Sequence, residues 1–376
     1  MKKLIRNMDK KLFLATLILF IFGSIMILSS SSIRAYMFGN SPSIYFKRQI
    51  IFLIGGYFLS IILLLIPTSK YKKLSWPALV FAAGLLIMVL LYSIAVNATK
   101  GWFNAGSGQP SEIAKIVIIV WLACFYGSSK DESFYENKLK IWFSLAVVGI
   151  ITIVIVLQND YGTAAIFLAI SLFIFFISNV SKKIKLEVLA FGMGFLAIIA
   201  LLLFSGKLSL LTSDKLARFN IVDPCGRYLN EGNQVCNSYI AINGGGVFGK
   251  GLGNSTQKYL YLPEAHTDFI FAIVVEELGL IGGIALLLFY IFVLTRIVLI
   301  GKRADRDSNA LICYGIAMYL FLHIIVNLGG VMGIIPITGI PLPFMSYGGS
   351  FCISLIFAMA IVQRINYENN TRIQAK

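Results

Sequence analysis

The sequence predicts an all-α integral membrane protein, a bundle of about ten transmembrane helices in a single polytopic domain over residues 1–376. Of its residues 58% are hydrophobic and 13% are charged, whereas soluble domains are about 45–50% apolar and about 25% charged. The mean hydropathy is +0.84. Apolar runs that are long enough to cross a bilayer core of about 30 Å recur along the whole chain.

Ten apolar segments have the length of a membrane span. They lie near residues 11–32, 46–66, 75–96, 112–128, 141–157, 162–178, 184–204, 268–295, 309–330 and 348–364. A loop at 205–267 separates the seventh and eighth spans, and a polar tail follows Gln363. The first apolar run follows the basic residues 1–11 as in a signal peptide, but it is too long for one, so we expect an uncleaved first span.

The distribution of lysine and arginine predicts the orientation. With the N-terminus inside, the cytoplasmic segments hold 21 of the 32 Lys and Arg residues, and the short outer loops at 158–161 and 331–347 hold none. Positive charge favours the cytoplasmic side. Both termini are therefore expected in the cytoplasm, with the 205–267 loop outside. The net charge of +15 follows from this rule and does not indicate nucleic-acid binding.

The stretch 258–279 combines an apolar helix pattern with three carboxylates, Asp268, Glu276 and Glu277. Ionisable groups at membrane depth are costly and indicate a functional site. Eight residues of this helix place Asp268 and Glu276 about 80° apart around its axis, so both would face the bundle interior. Glu277 would point elsewhere and pair with another span, and one of the two glutamates would be structural.

Residues 262–267 precede this helix with a turn, a proline and polar side chains typical of a membrane boundary. A second irregular segment, 336–350, is too rich in proline and glycine for a lipid-facing helix. Such backbone at membrane depth must be buried in protein or line a cavity. We call 336–350 the proline-glycine segment and expect it to form a wall near Asp268.

Three further polar groups lie at the ends of spans. Glu112 and Lys115 are i, i+3 partners, which indicates either a simple ion pair or a lysine held to meet an anion. Asp160 has the position of a helix cap. Arg218, in the outer loop, has the fork geometry that binds phosphate. His323 is expected to be a packed polar residue that bonds Asn327 one turn on.

Residues 244–251, here named the glycine loop, approach a P-loop spacing but have Gly251 where serine or threonine should bind magnesium. A tight turn whose N–H groups approach a ligand or a helix end is the better interpretation. Of the five cysteines, Cys225 and Cys236 lie in the predicted outer loop, where they are candidates for a disulfide.

Four blocks of the sequence, QPSEIAK, NDYGT, GKGLGNSTQKYLYLPEAHTDFIFAIVVEELG and PITGIPLPFMSYGGS, resemble the SEDS family, the shape, elongation, division and sporulation proteins of the FtsW/RodA type. The resemblance covers most of the chain, and the LPEAHTDFIF block is more similar to the division branch than to the elongation branch. It implies a ten-span peptidoglycan glycosyltransferase of the bacterial cytoplasmic membrane. Such an enzyme polymerises lipid II into β-1,4 glycan strands on the outer face, with inversion, and releases undecaprenyl pyrophosphate.

The resemblance also implies partners and site residues. The partner is a class B penicillin-binding protein, together with other division or elongation proteins, and the catalytic residue is Asp268. No cofactor is firmly implied, although Mg²⁺ or Mn²⁺ would suit the pyrophosphate. Residues expected to contact substrate are Trp102, Glu112, Lys115, Asp160, Arg218, Lys258, Glu264, His266 and Ser346.

Three alternatives stay open from the sequence. The protein could be a lipid II flippase, because broken helices and intramembrane charges are also transporter features. It could be an elongation-type polymerase, because the family motifs are shared between branches. It could also be a scaffold that activates the penicillin-binding protein. The clustering of polar groups at one face of the membrane favours an outward-facing enzyme.

Overall fold

Every regular element of the described residues is a helix. The computed structural model describes residues 6–92, 101–102, 108–127, 132–204, 224–227 and 232–374. The helices are α1 (Lys10–Met37), α2 (Ile44–Leu65), α3 (Tyr71–Tyr92), α4 (Pro110–Gly127), α5 (Glu132–Glu136), α6 (Lys138–Leu157), α7 (Tyr161–Ile177), α8 (Lys182–Phe204), α9 (Asn233–Gly245), α10 (Ile270–Lys302), α11 (Asp307–Val331) and α12 (Gly349–Ile373). The predicted all-α membrane class is confirmed.

Eight helical segments of the described chain are long and apolar enough to span a membrane. They are α1, α2, α3 with its preceding 3-10 turn, α4, α6, α10, α11 and α12. Two helices that were predicted as spans are not among these eight. Helix α7 is apolar but has only 17 residues, whereas α8 has 23 residues. The count of ten spans and the outside position of the 205–267 loop stay predictions.

Helix α4 lies at the centre of the bundle, where it packs against α3, α7, α11 and α12. In α4, α11 and α12, the most apolar stretch of 18 residues is buried inside the protein to 72%, 67% and 78%. The other candidate spans bury half or less of theirs. Polar side chains on these three helices therefore face protein rather than lipid, which is the position that intramembrane charges require.

Helix α10 is broken at Gly279, whose φ of 73° and ψ of −176° are accessible essentially only to glycine. In an unbroken helix, the N–H groups of Leu280 and Ile281 would donate to the carbonyls of Glu276 and Glu277. Those N–H groups donate instead to the glycine loop, to Gly246 O (2.9 Å) and Val247 O (3.3 Å).

The glycine loop also satisfies the two carbonyls that the break leaves free. Lys250 N–H donates to Glu276 O at 3.0 Å, and Gly251 N–H donates to Glu277 O at 2.9 Å. Two donors and two acceptors are thus exchanged between loop and helix, and each backbone group keeps a partner as burial demands. This agrees with the prediction that the loop's N–H groups approach a helix end.

Two segments differ from the sequence-based expectation. The region after Gln363 was expected to be a polar tail, but α12 continues as helix to Ile373. Its asparagines Asn366 and Asn370 donate to Asn7 O at 3.1 Å and 2.9 Å. Polar residues extend this helix because they pack on the N-terminal segment rather than face lipid.

The 205–267 loop contains a helix of its own, α9, which packs against α10. Cys236 of α9 forms a disulfide with Cys225, with a Cα–Cα distance of 4.9 Å. This is the pairing that the sequence left as a candidate. The bond anchors the start of α9 to the short 3-10 turn at Cys225–Arg227.

Candidate functional site

Asp268 lies just outside α10, since that helix begins at Ile270. The prediction that Asp268 and Glu276 share a helical face is therefore wrong, because one of the two is not helical. Asp268 instead occupies the end of an irregular turn, partly buried. It lines a small cleft with Phe269, Asn327, Thr338, Gly339 and Ile340 among its walls. We name this the Asp268 cleft.

The turn before Asp268 holds the carboxylate beside a second one. Thr267 Oγ1 lies 3.1 Å from Asp268 Oδ1 and 2.9 Å from Glu264 Oε2. Glu264 has a left-handed φ of 55°, and its other oxygen accepts from Arg34 at 3.1 Å. Glu264 thus brings both a negative charge and its cationic partner close to Asp268.

This environment changes the acidity of two groups. Burial, and next the nearby Glu264 carboxylate, raise the pKa of Asp268 to about 7, since both disfavour the ionised form. Burial lowers the pKa of His266 to about 4, so His266 is neutral at pH 7. Asp268 is therefore divided between its two protonation states near neutral pH, as a proton-transfer group should be.

The proline-glycine segment forms the opposite wall, as expected. A Cβ placed on Gly339 would lie 3.9 Å from Asp268 Oδ2, so this backbone faces the carboxylate. Asn327 of α11 donates to Asp268 O at 2.7 Å and to Ile340 O at 2.8 Å. One amide therefore fixes the Asp268 turn to the proline-glycine segment.

Ser346 and His266, both expected to contact substrate, join the same two segments to each other. Ser346 Oγ donates to Thr267 O and accepts from Leu342 N–H at 2.8 Å. His266 O accepts from Tyr347 N–H at 3.0 Å, and its buried ring packs 4.7 Å from that of Tyr45. Neither residue lines the Asp268 cleft; both fix the proline-glycine segment to the Asp268 turn.

Glu112 and Lys115 form the predicted i, i+3 ion pair, at 2.8 Å, with side chains 2% and 0% exposed. Lys115 Nζ also lies 2.9 Å from His323 Nε2. His323 Nδ1 donates to Tyr319 O at 2.8 Å, which leaves Nε2 as the acceptor for lysine. The expectation that His323 bonds Asn327 is wrong. Lys115 is enclosed by protein and does not line the Asp268 cleft.

Asp160 caps α7 as predicted, accepting from Thr163 N–H at 3.0 Å. Its second oxygen accepts from Gln109 Nε2 at 2.8 Å. The following turn touches the cleft wall, because a Cβ on Gly162 would lie 3.0 Å from Thr338 Cβ. The Asp160 turn therefore supports the cleft without lining it.

Trp102 is partly buried beside Gly101. A Cβ on Gly101 would lie 3.6 Å from Gln158 Oε1 and 3.9 Å from Gln109 Nε2. Trp102 thus belongs to the neighbourhood of the Asp160 turn. Arg218 lies outside the described residues, and its phosphate-binding role stays an expectation.

The two glutamates of α10 are structural, and they form ion pairs with lysines of the segment before α10 rather than with another span. Glu276 binds Lys250 at 2.7 Å and accepts from Thr256 N–H at 3.0 Å. Glu277 binds Lys258 at 3.3 Å. Lys258 is buried in this ion pair. The expectation that it contacts substrate is therefore corrected: its role in this structure is structural.

Glu277 does contact another span, as the sequence suggested, although through a hydroxyl group. Ser29 of α1 donates to Glu277 Oε1 at 2.6 Å. No local pattern pointed to the lysine partners, because they lie 26 and 19 residues away from the glutamates.

Sequence reasoning did not single out Asn327, Gln109 or Arg34 as site residues. Asn327 carried a usable signal, since an amide inside an apolar span is itself unusual and marks a helix-packing or functional position. Gln109 is the first residue of the QPSEIAK block on which the family resemblance rests, whereas Arg34 carried no signal, because polar residues at span ends are ordinary.

A divalent cation has no evident protein ligands in the part of the chain that the structure describes. No group of three His, Cys, Asp or Glu side chains that could hold a metal ion gathers there. The carboxylate that acts on the pKa of Asp268 is that of Glu264, so the described residues offer a pair of carboxylates rather than a set of three ligands. No chemical step is therefore assigned to a protein-held metal.

Comparisons with known proteins match this chain to one family over nearly its whole length. A family model for FtsW, RodA and SpoVE, described as cell cycle protein, matches residues 10–371. A Bacillus subtilis protein named probable peptidoglycan glycosyltransferase FtsW is 35% identical, with 97% of this chain and 92% of that protein covered. A Coxiella burnetii protein of the same name is 35% identical, with 96% of each covered.

Solved structures show the same fold. A chain from a peptidoglycan synthase complex that coordinates polymerization and crosslinking superposes with a TM-score of 0.74 at 23% identity, covering 96% of this chain and 98% of that one. The rod shape determining protein RodA of Thermus thermophilus gives a TM-score of 0.67 at 24% identity, covering 96% and 97%.

Proposed function

Since this chain belongs to the FtsW/RodA/SpoVE family of cell cycle proteins, we propose that it is a peptidoglycan glycosyltransferase that polymerises lipid II at the outer face of the bacterial cytoplasmic membrane. The observation that carries the proposal is Asp268, a carboxylate with a pKa raised to about 7 at the edge of a cleft between two irregular segments. The curated relatives named above support the division branch.

In the proposed reaction, Asp268 accepts the proton of the acceptor sugar's 4-hydroxyl group. The hydroxyl oxygen then forms the new bond to the donor's anomeric carbon from the face opposite the leaving group. The bond to pyrophosphate breaks with its electron pair, so undecaprenyl pyrophosphate departs and the configuration inverts. One base is sufficient for this displacement, which agrees with a single carboxylate lining the cleft among the described residues.

The departing pyrophosphate needs positive charge. Arg34, which is held near the Asp268 turn by its contact with Glu264, is a candidate, and Arg218 stays one by expectation. Lys115 and Lys258 are not, because both are buried in ion pairs. A cation brought by the pyrophosphate itself would act in the same way.

The partner proposed from the family resemblance is a class B penicillin-binding protein that cross-links the new strand. A solved structure with the same fold comes from a synthase complex that combines polymerization and crosslinking. Assays of this chain should therefore include its cognate cross-linking partner.

The decisive experiment compares wild type with Asp268→Asn, each purified with the partner and given lipid II in detergent. We expect wild type to form glycan polymer and the variant to be at least about 100-fold slower, since a general base contributes about 10²–10⁴-fold. Asp307→Asn is the matched control, because Asp307 is the first residue of α11, about 30 Å along that helix from the cleft residue Asn327 at about 1.5 Å per residue, and it contacts Asn179 at 3.2 Å. Equal polymer from Asp268→Asn would refute the base assignment.

The same preparation in sealed vesicles tests the flippase alternative. Fluorescent lipid II that crosses the bilayer without being polymerised, in wild type and Asp268→Asn alike, would favour transport over polymerisation. We expect polymer from wild type and lipid II transport from neither protein.

A further inference from the structure

Asn327 lines the Asp268 cleft, and the residue is 4% exposed. It comes from α11, whereas the other cleft walls come from the Asp268 turn and the proline-glycine segment. Its position makes it the one amide side chain among the described residues of the cleft.

Two contacts fix the orientation of this amide. Asn327 Nδ2 lies 2.7 Å from Asp268 O and 2.8 Å from Ile340 O. Both partners are carbonyl oxygens, which only accept, so only the NH₂ end of the amide fits between them. The Oδ1 atom is therefore held on the other side and cannot exchange places with the nitrogen.

Asn327 Oδ1 is buried, and within the described residues it has no hydrogen-bond partner. A buried acceptor without a donor is unfavourable, and such atoms in native proteins usually meet water or a ligand. Because the same residue lines the cleft, the missing donor is expected to come from whatever occupies it.

We propose that Asn327 Oδ1 accepts a hydrogen bond from a hydroxyl group of the lipid-linked sugar bound in the Asp268 cleft. This inference rests on the proposed function and names a residue that orients its substrate. An amide oxygen suits the task, because it accepts a hydroxyl hydrogen bond without removing the proton. Asp268 then remains the base, and the sugar is held beside it in a fixed pose.

The test measures binding rather than turnover, in the full-length Asp268→Asn protein so that substrate is not consumed. Fluorescent lipid II is titrated into Asp268→Asn and into Asp268→Asn/Asn327→Ala. We expect binding to weaken about tenfold in the double variant, as for loss of one buried hydrogen bond. Asp268→Asn/Asn366→Ala is the matched control, because Asn366 is also buried and donates to a carbonyl, Asn7 O.

Lipid II analogues that lack one hydroxyl group at a time separate ligand contact from loss of the backbone clamp. Under the proposal, one analogue binds Asp268→Asn about tenfold more weakly than lipid II does. The same analogue should bind Asp268→Asn/Asn327→Ala with the same affinity as it binds Asp268→Asn. Equal binding by the two proteins, or losses that add for every analogue, would overturn the inference and leave Asn327 only its clamp role.

If the alanine variant does not fold, Asn327→Gln replaces it, because glutamine keeps an amide NH₂ group for the two carbonyl oxygens and moves the amide oxygen by one methylene group. The same analogue should then bind Asp268→Asn about tenfold more weakly than lipid II, whereas Asp268→Asn/Asn327→Gln should bind the analogue and lipid II equally. Insensitivity of both proteins to every single-hydroxyl deletion overturns the inference. Absence of any lipid II binding, in wild type too, would instead overturn the proposed function and this inference with it.

Discussion

At the scale of single residues, the raised pKa of Asp268 makes the proposed activity depend on pH. Only ionised Asp268 accepts a proton, and its pKa lies at about 7. The polymerisation rate should therefore rise as the pH increases through about 7 and be small well below it. A rate profile measured from pH 5 to 9 with lipid II well below saturation checks this, because such a profile reports the pKa of the free protein, and a flat profile across neutrality would contradict it.

Glu264→Gln tests the second cause of that shift. The substitution removes a negative charge beside Asp268 and frees Arg34 from its ion pair. Both changes favour ionised Asp268, so the midpoint of the rate profile should move to lower pH. Glu187→Gln, which breaks an exposed pair with Lys138, should leave the midpoint in place. A midpoint that moves upward in Glu264→Gln would argue against the electrostatic account.

The buried pair in α4 predicts a stability effect. Lys115→Met leaves the Glu112 carboxylate without its cation in the bundle core, which costs about 3–5 kcal/mol for a buried pair. The melting temperature in detergent should fall clearly, and Glu112→Gln/Lys115→Met should recover much of the loss. Lys138→Met, from the exposed pair, should change it little. A single variant as stable as wild type would show that the pair is not needed.

The residues show where sequence reasoning succeeds. The Glu112–Lys115 pair and the Asp160 cap are local, within three residues along the chain, so helical periodicity was enough. The partners of Glu276 and Asn327 could not be found in this way. They depend on how the glycine loop and the proline-glycine segment fold back, which no local pattern encodes.

At the scale of elements, the break in α10 is the least replaceable feature. A Cβ on Gly279 would lie 2.2 Å from Val247 O and 2.5 Å from Gly249 N, in addition to its glycine-only backbone angles. Gly279→Ala should therefore destabilise the protein by at least about 2 kcal/mol. A lowered melting temperature and reduced polymerisation would be the readouts.

Gly149→Ala is the control for that change. Gly149 lies in α6, and a Cβ added there would meet no atom of the described residues within 4 Å. Alanine should therefore leave stability unchanged or raise it by up to about 1 kcal/mol. Equal melting temperatures for Gly279→Ala and Gly149→Ala would contradict the role assigned to the break.

The elements also show what hydropathy predicts. Hydropathy predicts an apolar span at 112–128, and helix α4 occupies Pro110–Gly127, so the two ranges agree to within a few residues. Hydropathy did not predict the break at Gly279, since an apolar run looks the same with or without a change of backbone angle. It also did not predict the helical end of α12, whose polar residues are buried against the N-terminal segment.

At the scale of the whole molecule, the predicted orientation has a direct test. Phe248, in the glycine loop, is 83% exposed, so Phe248→Cys should react with a membrane-impermeant maleimide added to intact cells. Asp305→Cys, between α10 and α11, should react only after the membrane is opened. The native cysteines Cys124, Cys313 and Cys352 are buried and should give little background. The reverse pattern would invert the topology.

The exchange of backbone bonds between the glycine loop and α10 also constrains how the chain is made. Residues 246–251 leave the ribosome before Leu280 and Ile281, but they must first be translocated if they lie outside. The second half of α10 therefore finds its partners only once the preceding segment has crossed the bilayer. In a circularly permuted chain that begins at Leu252, residues 246–251 would be synthesised last. The N–H groups of Leu280 and Ile281 and the carbonyls of Glu276 and Glu277 would stay unpaired until then, so α10 could not be completed before the end of synthesis.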